Sequence, residues 1–334
     1  MKSGVRMRDI AHALGVSAVT VSKALSGKDG VGKELRAQIE EKAAEMGYIY
    51  NSFPAAMLKG KTFTVGILIP SHFLGSVSFY WRFYQQLLSA LKKTKYWALL
   101  EIVDSEDEAH ERIPAFVGAN KVDGIILLGQ FSDAYLRMIT SRTPNCVFLD
   151  FYSDIGVCDC IVQNNFSGSY NLTKLLIEAG HTKIGFVGLP TFTTSILDRY
   201  MGFCKAMLEC GLRSRDAIDD RGETTGSTDF ELELLPAEYT AYVCNNDQLA
   251  GTVIRQLGKL GLKVPDDISL VGFDNEGIDV TAGIGVTSLE VNITGMCETA
   301  VRLLLQKLDD DDYVSRGKSF IDCSIVHKQS IRRL

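Results

Sequence analysis

The chain has 334 residues, a length that suits two or three domains rather than one. Its composition, 46% hydrophobic and 23% charged, is ordinary for a soluble globular protein, and its net charge of −6 would be unusual for a nucleic-acid binder if it were evenly spread. No apolar run approaches the ~18 residues of a membrane span and the N-terminus lacks the apolar segment of a signal peptide, so we expect no membrane partner and a cytoplasmic location.

Residues 6–27 carry two short helical patterns, over 7–14 and 17–26, separated by Gly15 and Val16. Gly15 permits the positive φ of a sharp turn, and Ser17 stands at the N-cap of the second helix. Apolar residues at helical spacing give each pattern a face to bury. These residues are Met7, Ile10, Ala11 and Leu14 in the first helix and Val21, Ala24 and Leu25 in the second. The pattern predicts a helix-turn-helix.

The second helix presents small side chains and one cation to solvent if Val21 faces inward. That outward face consists of Ala18, Val19, Ser22 and Lys23. Such a surface fits the floor of a DNA major groove, where Lys23 can reach a guanine edge or a phosphate and Ala18 and Val19 can touch thymine methyl groups. The alternative is an αα-corner in a helical domain, and the structural context must decide between them.

A third helical pattern over residues 33–46 supplies that context. It begins after Gly32, ends at Gly47, and can close a small core with the first two helices. Residues 1–62 have a net charge of +4, which leaves −10 for the rest of the chain. The positive charge is therefore concentrated where phosphates would be met.

The string RDIAHALGVSAVTVSKALSG, followed by EKAAEMGY and Asn51, resembles the headpiece of the lactose/galactose repressor (LacI) family, and the resemblance continues over nearly the whole chain. It implies an operator-binding regulator that acts as a homodimer on double-stranded DNA. Residues 1–48 would form the headpiece. The expected DNA-binding residues are Arg6, Arg8, Ser17, Ala18, Val19, Thr20, Ser22, Lys23 and Ser26.

Residues 49–62, too short for a stable isolated helix, would form the hinge. In the family this segment becomes helical on DNA and inserts an apolar wedge into the minor groove, which by resemblance assigns the hinge contacts to Asn51, Met57, Leu58 and Lys59. Pro54 departs from the family pattern and restricts the start of this helix to about residue 53 or 54. The alternative is a linker that never orders.

From Phe63 onward, apolar runs alternate with amphipathic stretches. The predicted strands are 64–69, 97–103, 124–128, 146–149, 160–162, 183–187, 241–244 and 269–273. Helical patterns occur around 80–93, 107–119, 168–179, 199–210, 247–260 and 294–308. This alternation indicates an α/β fold with parallel sheets covered on both faces, in two doubly wound lobes.

Ligands of such sheets bind beyond the carboxyl ends of the strands. Polar side chains follow three predicted strands at that point, namely Asp150, Asn246 and Asp274, and Arg199 lies near a helix start. Together they can surround a hydroxyl-rich ligand, although an Asp at a strand-to-helix junction is often only a helix cap.

From VDGIILLG at 122–129 to VTSLEVN at 286–292, the chain resembles the family's regulatory core, which in turn resembles periplasmic sugar-binding proteins. That resemblance implies effector contacts at Tyr80, Trp81, Asp150, Gln163, Arg199, Asn246 and Asp274. It also implies one lobe from residues 63–163 and 292–322 and a second from 164–291 and 323–334. The acidic run at 309–312 is interpreted as a solvated loop, because consecutive Asp residues cannot all face one calcium ion. No leucine heptads follow, so we expect no coiled-coil tetramer.

The sequence gives no support for an enzyme. It contains no G-x-S-x-G, no phosphate-binding G-x-x-x-x-G-K-[ST] and no H-E-x-x-H. The eight cysteines are typical of buried thiols in a reducing cytosol, and Cys158 and Cys160 form a C-x-C that lacks the four ligands of a zinc site. We therefore expect no metal and no cofactor.

The leading hypothesis is a transcriptional regulator, most simply a repressor, controlled by a small molecule, with a carbohydrate favoured by the polar cleft residues. Two alternatives stay open: a solute receptor without DNA binding, and a regulator whose effector is a protein partner.

Overall fold

The computed structural model describes residues 5–26, 28–48, 61–74, 79–155, 158–220, 231–276 and 283–334. The chain divides into two compact units, Met1–Thr62 and Phe63–Leu334. The predicted hinge residues Asn51, Met57, Leu58 and Lys59 lie outside the described residues, so the hinge stays a prediction.

The described residues of the first unit form three helices, α1 (Met7–Leu14), α2 (Ala18–Leu25) and α3 (Lys33–Glu45). Gly15 ends α1 with φ +64°, and Ser17 caps α2 by accepting a hydrogen bond from the Thr20 backbone N–H at 3.0 Å. The buried side chains of this unit are Ile10, Ala11, Val21, Ala24, Ile39 and Ala43. The predicted helix-turn-helix and its inward faces are confirmed.

The second unit contains eleven strands and eight further helices among the described residues. The strands are β1 (Thr64–Pro70), β2 (Trp97–Val103), β3 (Gly124–Leu128), β4 (Cys146–Leu149), β5 (Asp159–Gln163), β6 (Ile184–Val187), β7 (Ala241–Cys244), β8 (Ser269–Phe273), β9 (Thr287–Glu290), β10 (Lys318–Ile321) and β11 (Ser324–Val326). The helices are α4 (Phe79–Lys92), α5 (Ser105–Ala109), α6 (Ala115–Gly118), α7 (Asp133–Arg142), α8 (Asn165–Glu178), α9 (Thr194–Glu209), α10 (Asp247–Lys259) and α11 (Ile293–Asp309). None of these helices has the length and hydropathy needed to cross a lipid bilayer.

The strands form two sheets, in the orders β10-β5-β4-β3-β1-β2 and β11-β9-β8-β7-β6. All neighbouring strands are parallel except β9 and β11. Apolar clusters cover both faces of each sheet, which is why strands such as β1 are buried along their whole length. The expected α/β fold with two doubly wound lobes is confirmed.

The chain passes between the sheets three times, after β5, after β9 and after β10. Sheet membership supports the proposed lobe boundaries near residues 163, 291 and 322, which remain a proposal.

Several predicted element bounds were wrong. The single helix expected over 107–119 is two short helices, α5 and α6, because Glu111 takes φ +50° and Pro114 stands just before α6. Helix α9 begins at Thr194 rather than 199, capped by Thr193, whose hydroxyl accepts a hydrogen bond from the Ile196 N–H. The sequence interpretation missed α7, β9, β10 and β11.

Helices α8 and α9 pack closely at Gly202. Gly202→Ala should lower the free energy of unfolding by about 1–3 kcal/mol, because the added methyl group would push the backbone of α8 away from α9. A Cβ at Gly202 would lie 2.1 Å from the Phe166 carbonyl oxygen and 3.0 Å from the Tyr170 nitrogen. The matched control is Gly258→Ala in α10, where a Cβ would meet nothing within 4 Å. That change should stabilise by roughly 0.5–1 kcal/mol through helix propensity. Urea unfolding monitored by circular dichroism checks both signs.

Candidate functional site

The first candidate site is the outer surface of α2. Val19 is 64% exposed, and Lys23 is exposed one helical turn further on. Val21 between them is fully buried, as the helical period requires. The surface therefore offers one apolar and one cationic side chain to a partner.

The other predicted DNA-binding residues divide into two groups. Arg6, Arg8 and Ser17 are exposed. Ala18, Thr20, Ser22 and Ser26 are half-buried. The prediction that Ala18 points fully outward needs correction, because this side chain also packs against the core of the first unit. The Ser17 and Thr20 hydroxyls lie 2.8 Å apart and share a hydrogen bond at the start of α2.

The second candidate site is a polar cluster where the strand ends of the two sheets of the second unit meet. Asp150 follows β4 in the first sheet and Asp274 follows β8 in the second, and both are buried. Both residues adopt a left-handed backbone, with φ +70° and +88°. Aspartate tolerates this conformation better than most residues, so each chain can turn sharply and hold its carboxylate at the strand end.

Arg199 of α9 is the fixed cation of this cluster. Its Nε donates to Asn165 Oδ1 at 2.7 Å and its Nη1 donates to the Asn245 carbonyl oxygen at 2.7 Å. The guanidinium lies 4.3 Å above the Phe273 ring, and Nη2 lies 3.8 Å from Asp274 Oδ1. Partners on several sides hold this side chain in one orientation.

The Asp150 and Asp274 carboxylates can each accept a further hydrogen bond. Asp150 Oδ2 accepts from the Tyr80 hydroxyl at 2.9 Å, while Asp150 Oδ1 has no hydrogen-bond donor among the described residues. The same holds for Asp274 Oδ1, whose Arg199 neighbour lies beyond hydrogen-bond distance. A ligand with hydroxyl donors would satisfy both atoms.

Burial governs the protonation of these groups. It raises the pKa of Asp150 to about 6, against the opposing effects of Arg199 and the Tyr80 hydroxyl. It raises the pKa of Asp274 to about 7, again against Arg199. The pKa of the Tyr80 phenol is also raised, first by burial and then by Asp150. Two acids that ionise near neutral pH therefore face one arginine.

Aromatic rings from both lobes lie beside this cluster. The Phe73 ring centroid is 5.0 Å from that of Tyr80 and 6.2 Å from that of Phe192, which belongs to the second lobe. His72 lies 6.0 Å from Phe192. The pKa of His72 is lowered by burial, which favours a neutral imidazole. The site thus combines hydrogen-bond acceptors with flat apolar surfaces.

The remaining predicted residues are placed differently. Gln163 is fully buried at the first crossing, where its Oε1 accepts from the Cys323 thiol at 3.6 Å. Asn246 caps α10, its side chain accepting from the Leu249 N–H at 2.8 Å. Trp81 is 40% exposed and packs edge-on against Tyr84, so it does not join the cluster.

The sequence interpretation missed several residues of the cluster. Asn165 and Asn245 contact Arg199, and Ser195 donates to the Asp150 carbonyl oxygen at 3.1 Å. Asn165 and Asn245 follow β5 and β7, so the strand-end rule that selected Asp150 would have found them as well.

The described residues show neither a disulfide nor a metal-binding cluster at this site. All eight cysteines are free thiols, and the described part of the chain contains no group of three or more His, Cys, Asp or Glu placed to hold a metal. Burial raises the pKa of the Cys158 and Cys160 thiols, which keeps them protonated and unreactive.

Comparison with known protein families matches two segments of the chain. Residues 6–51 match the family described as bacterial regulatory proteins, lacI family, and residues 173–331 match the periplasmic binding protein-like domain. The transcriptional repressor CytR of Escherichia coli (strain K12) is 24% identical over 343 residues, covering 100% of this chain and 98% of CytR.

Solved structures share the fold. The lac repressor dimer bound to operator and the anti-inducer ONPF superposes with a TM-score of 0.80 at 21% identity, covering 99% of this chain and 100% of that one. The complex of the transcriptional regulator CelR with cellobiose gives a TM-score of 0.71 at 22% identity, covering 98% of this chain and 99% of the CelR chain.

Proposed function

We propose that the chain is a DNA-binding transcriptional regulator of the lacI family. It would act as a cytoplasmic repressor controlled by a small hydroxyl-rich ligand held between its two lobes. The observation that supports this most directly is the pair of buried carboxylates, Asp150 and Asp274, beside the fixed Arg199. Each has one oxygen for which the described residues provide no hydrogen-bond donor. Sugar hydroxyls are suitable donors, and the Phe73 and Phe192 rings offer apolar faces to a sugar ring.

A carbohydrate is the ligand class that this geometry favours. The related CelR structure contains cellobiose. Isothermal titration of the full chain against ribose, glucose, cellobiose and cytidine tests the proposal. Binding of at least one sugar or nucleoside is expected. A regulator whose effector is a protein would bind none of them with useful affinity.

For DNA we propose that Val19 and Lys23 read bases in the major groove, with Ala18 contributing a methyl contact. Arg6, Arg8 and Ser17 would bind phosphates, joined by Ser22 and the N-terminus of α2. Met57 remains the proposed minor-groove wedge. The exposure of Val19 and Lys23 next to the buried Val21 supports this assignment.

We also propose that two copies bind one pseudo-palindromic operator, because two-fold symmetry of the protein then matches that of the site. The exposed edge of the first sheet supports dimerisation: Trp97 is 72% and Ile102 45% exposed on β2, the last strand of that sheet. Two chains per operator in sedimentation of the complex is the stoichiometry expected.

Lys23→Ala should reduce the ratio of operator to scrambled-DNA affinity by about tenfold to 100-fold, since a side chain that reads a base carries about 1–3 kcal/mol of discrimination. Gel shift at several salt concentrations measures both affinities. Lys42→Ala is the matched control, because Lys42 lies on α3 and pairs with Glu45 at 2.7 Å. It should leave the ratio unchanged.

Two outcomes of the same experiment contradict the proposal. Unchanged discrimination in Lys23→Ala would remove Lys23 from base reading. Absence of any salt-dependent DNA binding by the unmodified chain would favour the solute receptor, because phosphate contacts release counterions.

A further inference from the structure

A second set of contacts joins the two lobes without lining the ligand cluster. The Tyr152 hydroxyl, on the loop after β4, donates to Asp198 Oδ1 on α9 at 2.9 Å. Tyr152 lies two residues after Asp150, and Asp198 directly precedes Arg199. This hydrogen bond therefore ties the segment that carries one ligand acceptor to the helix that carries the cation.

Lys318 makes a cation–π contact with the Tyr152 ring. Its Nζ lies 3.6 Å from the centroid of that ring and 3.9 Å from Asp154 Oδ1. Lys318 opens β10, which pairs with β5 in the first sheet and leads into the third crossing between the lobes. Lys318 thus fixes the Tyr152 ring to the first lobe, while the Tyr152 hydroxyl donates to Asp198 of the second lobe.

The same end of α9 makes other contacts across the cleft. The Thr194 N–H donates to Gln130 Oε1 at 2.8 Å, and the Ser195 hydroxyl donates to the Asp150 carbonyl oxygen at 3.1 Å. The Thr194 amide belongs to the first turn of α9 and has no partner within the helix. Its protection from solvent exchange consequently reports whether the two lobes are in contact.

We propose that Tyr152 and Asp198 are positioning residues that hold the cleft closed, with Lys318 orienting the Tyr152 ring. They act on the ligand through Asp150 and Arg199 rather than by touching it. The expected effect of closure on ligand affinity rests on the proposed function. The closure of the two lobes itself does not depend on that function.

Hydrogen–deuterium exchange of the ligand-free full chain tests the closure directly. Tyr152→Phe keeps the ring under Lys318 and removes only the hydroxyl, so exchange at the Thr194 amide should become at least fivefold faster. Tyr170→Phe is the matched control: its hydroxyl donates to Glu209 at 2.7 Å, but both residues lie in the second lobe, on α8 and α9. It should leave exchange at Thr194 unchanged.

Two variants of Asp198 separate positioning from a general loss of structure. Asp198→Asn keeps an acceptor oxygen and should exchange like the unmodified chain, whereas Asp198→Ala should match Tyr152→Phe. The double variant Tyr152→Phe/Asp198→Ala should be no faster than either single variant, because the two residues share one contact. Exchange at Thr194 within twofold of the unmodified chain in Tyr152→Phe would overturn the proposal.

Calorimetric titration of the unmodified chain and its variants with a sugar separates this inference from the proposed function. If ribose or cellobiose binds the unmodified chain, Tyr152→Phe should weaken it about fivefold to tenfold and Tyr170→Phe should not. If no sugar or nucleoside binds the unmodified chain, the proposed ligand class is wrong, and the exchange experiment still decides whether Tyr152 and Asp198 close the lobes.

Discussion

Arg199→Met should lower the free energy of unfolding by about 3–5 kcal/mol and abolish ligand binding, because removing one partner of a buried ion pair leaves the other charge uncompensated. Arg199 is only 5% exposed, and it donates hydrogen bonds to the Asn165 side-chain oxygen and to the Asn245 carbonyl oxygen. Methionine fills much of the volume but donates no hydrogen bond. Urea unfolding and calorimetric titration measure the two effects.

Two controls identify the origin of this loss. Arg199→Lys keeps the charge, but an ammonium cannot reach Asn165, Asn245 and Asp274 in the fixed geometry of a guanidinium, so ligand binding should still be lost. Adding Asp274→Asn to Arg199→Met removes the uncompensated carboxylate and should recover part of the stability. A loss below about 1 kcal/mol in Arg199→Met would show that the buried pair contributes little to the fold.

Much of the ligand cluster could be predicted from sequence because it follows strand ends. In each parallel sheet the carboxyl ends of the strands lie at one edge, beyond which ligands bind. Asp150 after β4 and Asp274 after β8 could therefore each be identified as candidate ligand contacts from sequence. The buried and exposed faces of the headpiece helices could be predicted equally well, because the helical period fixes the rotation between Val21 and Lys23.

Contacts between the lobes could not be predicted in the same way. Phe192 reaches Phe73, and Asp198 reaches Tyr152, only because the two lobes close on each other, which no local period encodes. Tyr80 and Trp81 show the limit within one element. Neighbours on a helix point about 100° apart, so only one of the two could face the cluster, and the phase of α4 decided for Tyr80.

Ligand affinity should rise as the pH is raised from 5.5 to 8.5, by about 100-fold in all if both carboxylates must ionise to accept ligand hydroxyls. The pKa of Asp150 is raised to about 6 and that of Asp274 to about 7, each chiefly by burial. Below these values the ligand must displace a proton from each site. The stability of the ligand-free fold changes in the opposite sense. Because the carboxyl pKa values are raised, the folded chain binds more protons than the unfolded chain. The stability that Asp150 and Asp274 contribute is therefore present below pH ~4 and is lost as the pH rises through ~7.

Calorimetry in two buffers with different ionisation enthalpies measures this linkage, because protons released on binding are taken up by the buffer. At pH 6.5 net proton release is expected, mostly from Asp274. Asp274→Asn removes the acid with the higher pKa of the two, so the remaining rise in affinity should be centred near the pKa of Asp150, about 6. An affinity that is flat or falls with increasing pH would mean that the ligand is bound by protonated carboxyl groups, which donate rather than accept, and the ligand would then be one richer in acceptors than a sugar.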